Sequence, residues 1–180
     1  LEKPVLALVT SALAAAGSTQ AVYFFVLGFI TGLTHGYAIL IAQRFGAGDY
    51  SGVRRTVANA AYLAAIASLL ITVLSLLGSR ALLEVMRTPG DIFEDALLYI
   101  RIIFAGTAAA VCYNMLSGIL RALGDSVSPL VILVVSAVVN VGLDVLFVAG
   151  FQWGVAGAAW ATVLAQLLSG LMCLVVLCRL

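Results

Sequence analysis

One apolar stretch of the sequence, residues 129–149, carries a polar stripe of Ser136, Asn140 and Asp144. Their i, i+4, i+8 spacing places all three on one face of a helix. The next apolar stretch, residues 154–177, carries a second stripe of Thr162, Gln166 and Ser169. A carboxylate facing lipid is too costly to persist, so Asp144 must face the protein interior or a water-filled cavity. Asp144 lies about five residues from the end of its span, roughly 8 Å deep. Thr162 lies about eight residues into the returning span, roughly 12 Å deep. A tight connection at residues 150–153 therefore brings Thr162 to the depth of Asn140 and Asp144. Carboxylate, amide and hydroxyl oxygens are hard ligands that suit a small cation or a proton. Low-dielectric surroundings favour a neutral carboxyl and a nearby cation favours a charged one, so protonation can compete with sodium at such a place. Two readings stand side by side: Asp144, Asn140 and Thr162 bind Na+ or H+, or they are a hydrogen-bonded pair joining two helices.

Other polar residues in apolar stretches have weaker credentials. His35 follows Thr31 by one turn and reads as a proton relay, a substrate contact or a packed histidine. Asn114, with Thr107 and Ser117, lines a cavity or bonds a neighbouring helix. Ser136 and Gln166 are cavity-lining candidates. Tyr23, Phe24 and Phe25 stack on an aromatic substrate or pack in apolar surroundings. Gly28, Gly32 and Gly36 repeat every fourth residue, which permits close helix packing.

Several chemistries are excluded. Lys3 is the only lysine, so there is no Gly-Lys-Ser/Thr phosphate loop. Cys112, Cys173 and Cys178 lack metal-ligand spacing and read as buried small hydrophobes. No nucleophile–base pair or zinc spacing is present, so no enzyme and no cofactor is expected beyond Na+ or H+ as a coupling ion. The formal net charge of +1 gives no basic face for nucleic acid.

The elements that position these residues follow from composition. Hydrophobic residues make up 64% of the 180 and charged residues 9%, where soluble domains carry about a quarter charged. The apolar residues need lipid as their solvent. A span needs about 20 apolar residues, and five runs qualify: residues 21–42, 56–78, 96–120, 129–149 and 154–177. Residues 4–16 are too short and read as interfacial or loop. The expected fold class is all-α, a polytopic membrane helix bundle of about five transmembrane helices, with residues 1–180 as a single transmembrane domain. The connections are expected at residues 43–55, 79–95, 121–128 and 150–153. The second holds Thr88-Pro89-Gly90-Asp91, a turn signal. The third ends at Pro129, which suits a first helical turn.

Basic residues near the helix ends set orientation. One side collects Arg44, Arg54, Arg55, Arg121 and Arg179; the other collects Lys3, Arg80 and Arg87, with Arg101 just inside a helix. This places the Arg44–Arg55 loop, the Arg121 loop and the C-terminus in the cytoplasm of a multi-pass protein of the plasma or inner membrane. Trp153 and Tyr99 fall at the outer interface. The two cytoplasmic loops share an echo, an arginine followed by Gly48-Asp49 or Gly124-Asp125.

The run from Ile41 to Asp49 (IAQRFGAGD), followed by Val53, Arg54 and Arg55, resembles the first cytoplasmic loop of multidrug and toxic compound extrusion (MATE) transporters. Thr88-Pro89 leading to Tyr99, Ile100 and Arg101 is similar to the same family. So are Arg121 to Asp125 (RALGD) with Pro129, Asn140 to Asp144 (NVGLD), and Trp153 to Thr162 (WGVAGAAWAT). In order and spacing these motifs cover roughly residues 10–180. The resemblance implies two six-helix lobes related by an axis along the membrane normal, and rocking of the lobes about a central site. It implies export of drugs or organic cations in exchange for sodium ions or protons. This chain matches the N-terminal lobe, in which the equivalents of Asn140, Asp144 and Thr162 contribute to a cation site. The family's first helix, which carries an acidic residue facing that site, has no counterpart in the sequence, and neither does the C-terminal lobe. Both are then expected as partners from a longer parent chain, along with a small-molecule substrate and membrane lipid.

Two alternatives remain at this level. A lipid-linked oligosaccharide flippase of the same superfamily would line its cavity with cationic residues to hold pyrophosphate, and the spans offer only Arg101 near an end. A truncated, non-transporting membrane fragment or scaffold is the third reading.

Overall fold

Helices form on the apolar runs but overshoot them at their polar ends. In the computed structural model, residues 24–26, 28–86, 88, 90 and 92–179 are described. The elements are α1 (Phe24–Gly46), α2 (Tyr50–Val85), α3 (Phe93–Ala105), α4 (Thr107–Ala122), α5 (Val127–Asp144) and α6 (Gly154–Leu177). A π-helical turn, Val145–Gly150, continues α5. α1, α2, α6 and α5 with its π turn are each long and apolar enough to cross a membrane; α3 and α4 together make a fifth span, bent by 45°. The five spans match the five apolar runs, and no strand occurs among the described residues.

Three boundaries differ from expectation. The polar run at 43–55 is almost entirely helical, and only residues 47–49 turn. α2 runs to Val85, so most of 79–95 is helix rather than connection. The run at 96–120 is not one straight helix. The common cause of the first two is that hydropathy marks where lipid ends, whereas a helix continues into water wherever propensity and capping allow. The interfacial reading of residues 4–16, and the parts assigned to Lys3, Tyr23, Arg87, Pro89 and Asp91, lie outside the described residues.

The two expected cytoplasmic turns share one construction. Gly48 (φ +72°) and Gly124 (φ +97°) end α1 and α4 in the left-handed region, which costs glycine little. The following aspartate amide in each bonds back to the helix just ended, Asp49 to the Arg44 carbonyl at 3.0 Å and Asp125 to that of Leu120 at 2.9 Å. Each aspartate then caps the next helix through Oδ1, which accepts from the Gly52 amide at 2.8 Å or the Ser128 amide at 2.9 Å. Arg44 adds an ion pair to Asp49 at 2.9 Å. The echo in sequence is therefore one helix-stop, helix-start device used twice.

α6 is the hub. It packs on α3, α4 and α5, while α2 packs on α3 and α4. One apolar cluster joins Leu83 of α2 to Ala96, Leu97, Ile100 and Phe104 of α3 and Val155 of α6. A second joins Ile41, Leu116, Ile119, Leu120, Ile132 and Cys173. Cys173 is thus the buried hydrophobe expected of it, while Cys112 and Cys178 are exposed. The α1 glycines do not mediate close packing: a β-carbon at position 28, 32 or 36 would meet nothing within 4 Å. The face they occupy points away from the described helices.

Candidate cation site

The α5–α6 hairpin positions the polar stripes. It closes at residues 151–153, with Gln152 (φ +55°) and Gly154 (φ +56°) in the left-handed region. The Trp153 amide bonds the Phe147 carbonyl at 2.9 Å, and the two rings stack with centroids 5.2 Å apart. This aromatic clasp fixes the register of α6 against α5. The π turn starts immediately after Asp144; such turns interrupt regular α-helical bonding and are frequent at functional sites.

Between α4, α5 and α6 lies a cavity of about 140 Å³, lined by Tyr113, Ser136, Asn140, Thr162, Gln166 and Ser169 among others. The depth argument holds for Asn140 and Thr162, which share its wall. Asp144 does not line it; it lies one turn beyond Asn140 on α5, about 6 Å further toward the hairpin.

The hydrogen bonding separates structural groups from available ones. Ser136 Oγ and Ser169 Oγ each lie 2.8 Å from the Ala165 carbonyl and also bond each other. Two hydroxyl protons serve these three contacts, so both protons are spent in clasping α5 to α6, while lone pairs remain on the two oxygens. Thr162 Oγ1 donates to the Ala158 carbonyl at 3.1 Å, which spends its proton and leaves its lone pairs free to accept or to ligate. Asn140 Nδ2, Asp144 Oδ1 and Gln166 Oε1 are shielded and have no hydrogen-bond partner. Unpaired shielded polar atoms are costly, and three of them lie on the two facing stripes, while Ser117 Oγ and Thr88 Oγ1 are unpartnered elsewhere. No cluster of three or more His, Cys, Asp or Glu residues exists among the described residues. One carboxylate with neutral oxygens suits a singly charged ion better than a divalent metal.

Of the remaining cavity-lining expectations, Asn114 is corrected and His35 lines a different cavity. Asn114 does not line the cavity; its Nδ2 donates to the Ala110 carbonyl in its own helix at 2.8 Å. One residue is about 100° of helix, and it is Tyr113 that faces the cavity instead. His35 is exposed and borders a separate hollow of about 230 Å³ between α1 and α4, together with Arg121. Tyr113 was missed because nothing in its spacing distinguishes it from core aromatics. Arg101 is exposed, and its Nε donates to Ser79 Oγ at 3.4 Å.

A family model described as MatE matches residues 5–146. Probable multidrug resistance protein YpnP of Bacillus subtilis (strain 168) is 35% identical over 161 residues, 86% of this chain and 35% of that protein. Probable multidrug resistance protein YoeA of the same organism is 28% identical over 170 residues, 92% of this chain and 37% of that protein. An inward-facing multidrug resistance MATE family transporter of the MOP superfamily matches with TM-score 0.87 and 31% identity, covering 91% of this chain and 37% of that one. An outward-facing transporter of the same description gives 0.86 and 30%, covering 92% and 38%. The chain spans little more than a third of the length of these relatives.

Proposed function

This chain belongs to the MatE family, and on that premise we propose that it forms most of one lobe of a secondary antiporter exporting drugs or organic cations in exchange for sodium ions or protons. The observation that carries the reading is the shielded, unpartnered Asp144 Oδ1, one turn from Asn140 and its cavity with Thr162. A negative carboxylate in the membrane is costly, and either Na+ beside it or H+ on it removes that cost. The two ions compete for one group, which makes the site an exchanger of charge. Asn140 and Thr162 supply neutral oxygens that orient the ion. The near-equal similarity to inward-facing and outward-facing transporters supports a lobe that rocks as a unit, with the rest of the parent chain forming the other wall of the pathway. In this reading the Gly48-Asp49 and Gly124-Asp125 turns and the C-terminus face the cytoplasm. Arg101 is the one cation lining a largely apolar hollow of about 250 Å³ that it shares with Gly106, Trp160 and Val163, and a single guanidinium among apolar side chains is a poor match for a lipid pyrophosphate.

The test uses the full-length transporter in proteoliposomes with an imposed sodium or proton gradient and a fluorescent organic cation. Asp144→Asn abolishes gradient-driven efflux while the protein keeps its wild-type elution profile. Wild-type efflux by Asp144→Asn overturns the proposal.

A further inference from the structure

The third span bends by 45° between α3 and α4, and one residue, Gly106, separates the two helices. No proline causes the bend. Gly106 has an ordinary backbone conformation (φ −82°, ψ 1°), so backbone freedom is not what selects glycine there. Space is. A β-carbon at 106 would lie 2.8 Å from Val163 Cγ1 and 3.1 Å from Val163 Cβ, and closer still to Cγ2. Val163 occupies the notch that the missing side chain leaves. It is 8% exposed and β-branched, so it has few rotamers by which to withdraw.

Val163 is the neighbour of Thr162, and α6 acts there as a wall with two sides. Thr162 and Gln166 border the polar cavity. The same two residues, with Gly106, Thr107 and Val163, also border a void of about 20 Å³ beside the bend. The Thr162 hydroxyl is tied to the α6 backbone by its bond to the Ala158 carbonyl. Its oxygen therefore moves with α6, and the seating of Val163 at Gly106 sets how closely α6 approaches the bend.

We infer that Gly106 and Val163 form a size-matched pair that positions Thr162, and with it the oxygen it offers to the cation. The inference rests on the proposed antiport reading and adds two positioning residues to it. A ligand oxygen needs placement to within about 0.5 Å, and displacing α6 to admit one methyl group at 106 exceeds that tolerance.

The experiment measures radioactive sodium binding and proton release on purified full-length transporter carrying Gly106→Ala, Val163→Ala or both. Gly106→Ala weakens cation affinity about tenfold, and adding Val163→Ala, which vacates the collision, returns it to within about threefold of wild type. A general packing defect would instead make the double variant worse than either single one. If Gly106→Ala alone does not fold, the double variant decides: folded with restored binding supports the pair, and folded without binding overturns it. Wild-type affinity in Gly106→Ala overturns the pair alone. A wild type that binds neither sodium nor a titratable proton overturns the antiport reading as well.

Discussion

Asp49 and Asp125 differ from Asp144 in almost every physical respect. The two turn carboxylates cap helices and accept bonds from backbone amides in the turns between spans. The Gly52 amide, then Ser51 and Arg44, hold the Asp49 carboxyl below its usual range. The Ser128 hydroxyl, then its amide, do the same for Asp125. Asp144 sits in a membrane span, and its shielded Oδ1 has no partner. A satisfied carboxylate stabilises a fold. In the proposed antiport reading, an unsatisfied one in an expensive location is held there by the surrounding packing and stands ready for an ion. On that reading the same residue type serves two purposes, and its partners distinguish them.

Short of replacing Asp144 itself, the largest effect that sharpens this contrast is expected at the shared cavity. Thr162→Val keeps the shape, removes one neutral oxygen and weakens sodium or proton binding about tenfold, with thermal stability nearly unchanged; equilibrium binding on the full-length transporter checks it. A smaller and opposite pattern is expected at the turn. Gly124→Ala forces a side chain into φ +97° and destabilises by about 1 kcal/mol, while cation affinity stays at the wild-type value; melting and binding measured on one preparation separate the two. The smallest effect is on pH. Because the folded-state pKa values of Asp49 and Asp125 are lowered, their contribution is present above the unfolded value of about 4. It is lost as pH falls through the lowered folded values. Melting temperature should decline in that acid window, and the decline should be shallower in Asp125→Asn.

Much of the architecture was legible in the sequence because lipid imposes length and apolarity on every span. The five runs and the tight hairpin near Trp153 follow from those constraints, the polar spacing anticipates the meeting of Asn140 and Thr162 but not the place of Asp144 outside their cavity, and the MATE resemblance agrees with the matching family model. Helix ends were not legible, since α2 continues past its apolar run to Val85. The bend at Gly106 was hidden because no proline marks it, and Val163, which packs into its notch, lies 57 positions away. The π turn after Asp144 left no mark in composition. Spacing placed Ser136 on the correct face but could not reveal that its hydroxyl bonds the Ala165 carbonyl and Ser169. Asn114 and His35 drew notice as polar residues in apolar runs, yet one bonds its own helix and the other borders a different hollow.

The central claim is that Asp144 is the group that takes the coupling ion. Sodium binding and proton release, measured on detergent-purified full-length transporter, test it most directly when Asp144→Asn is compared with Asp125→Asn. The account predicts that Asp125→Asn binds like wild type and that Asp144→Asn neither binds sodium nor releases the proton. Undiminished binding or proton release in Asp144→Asn would contradict it.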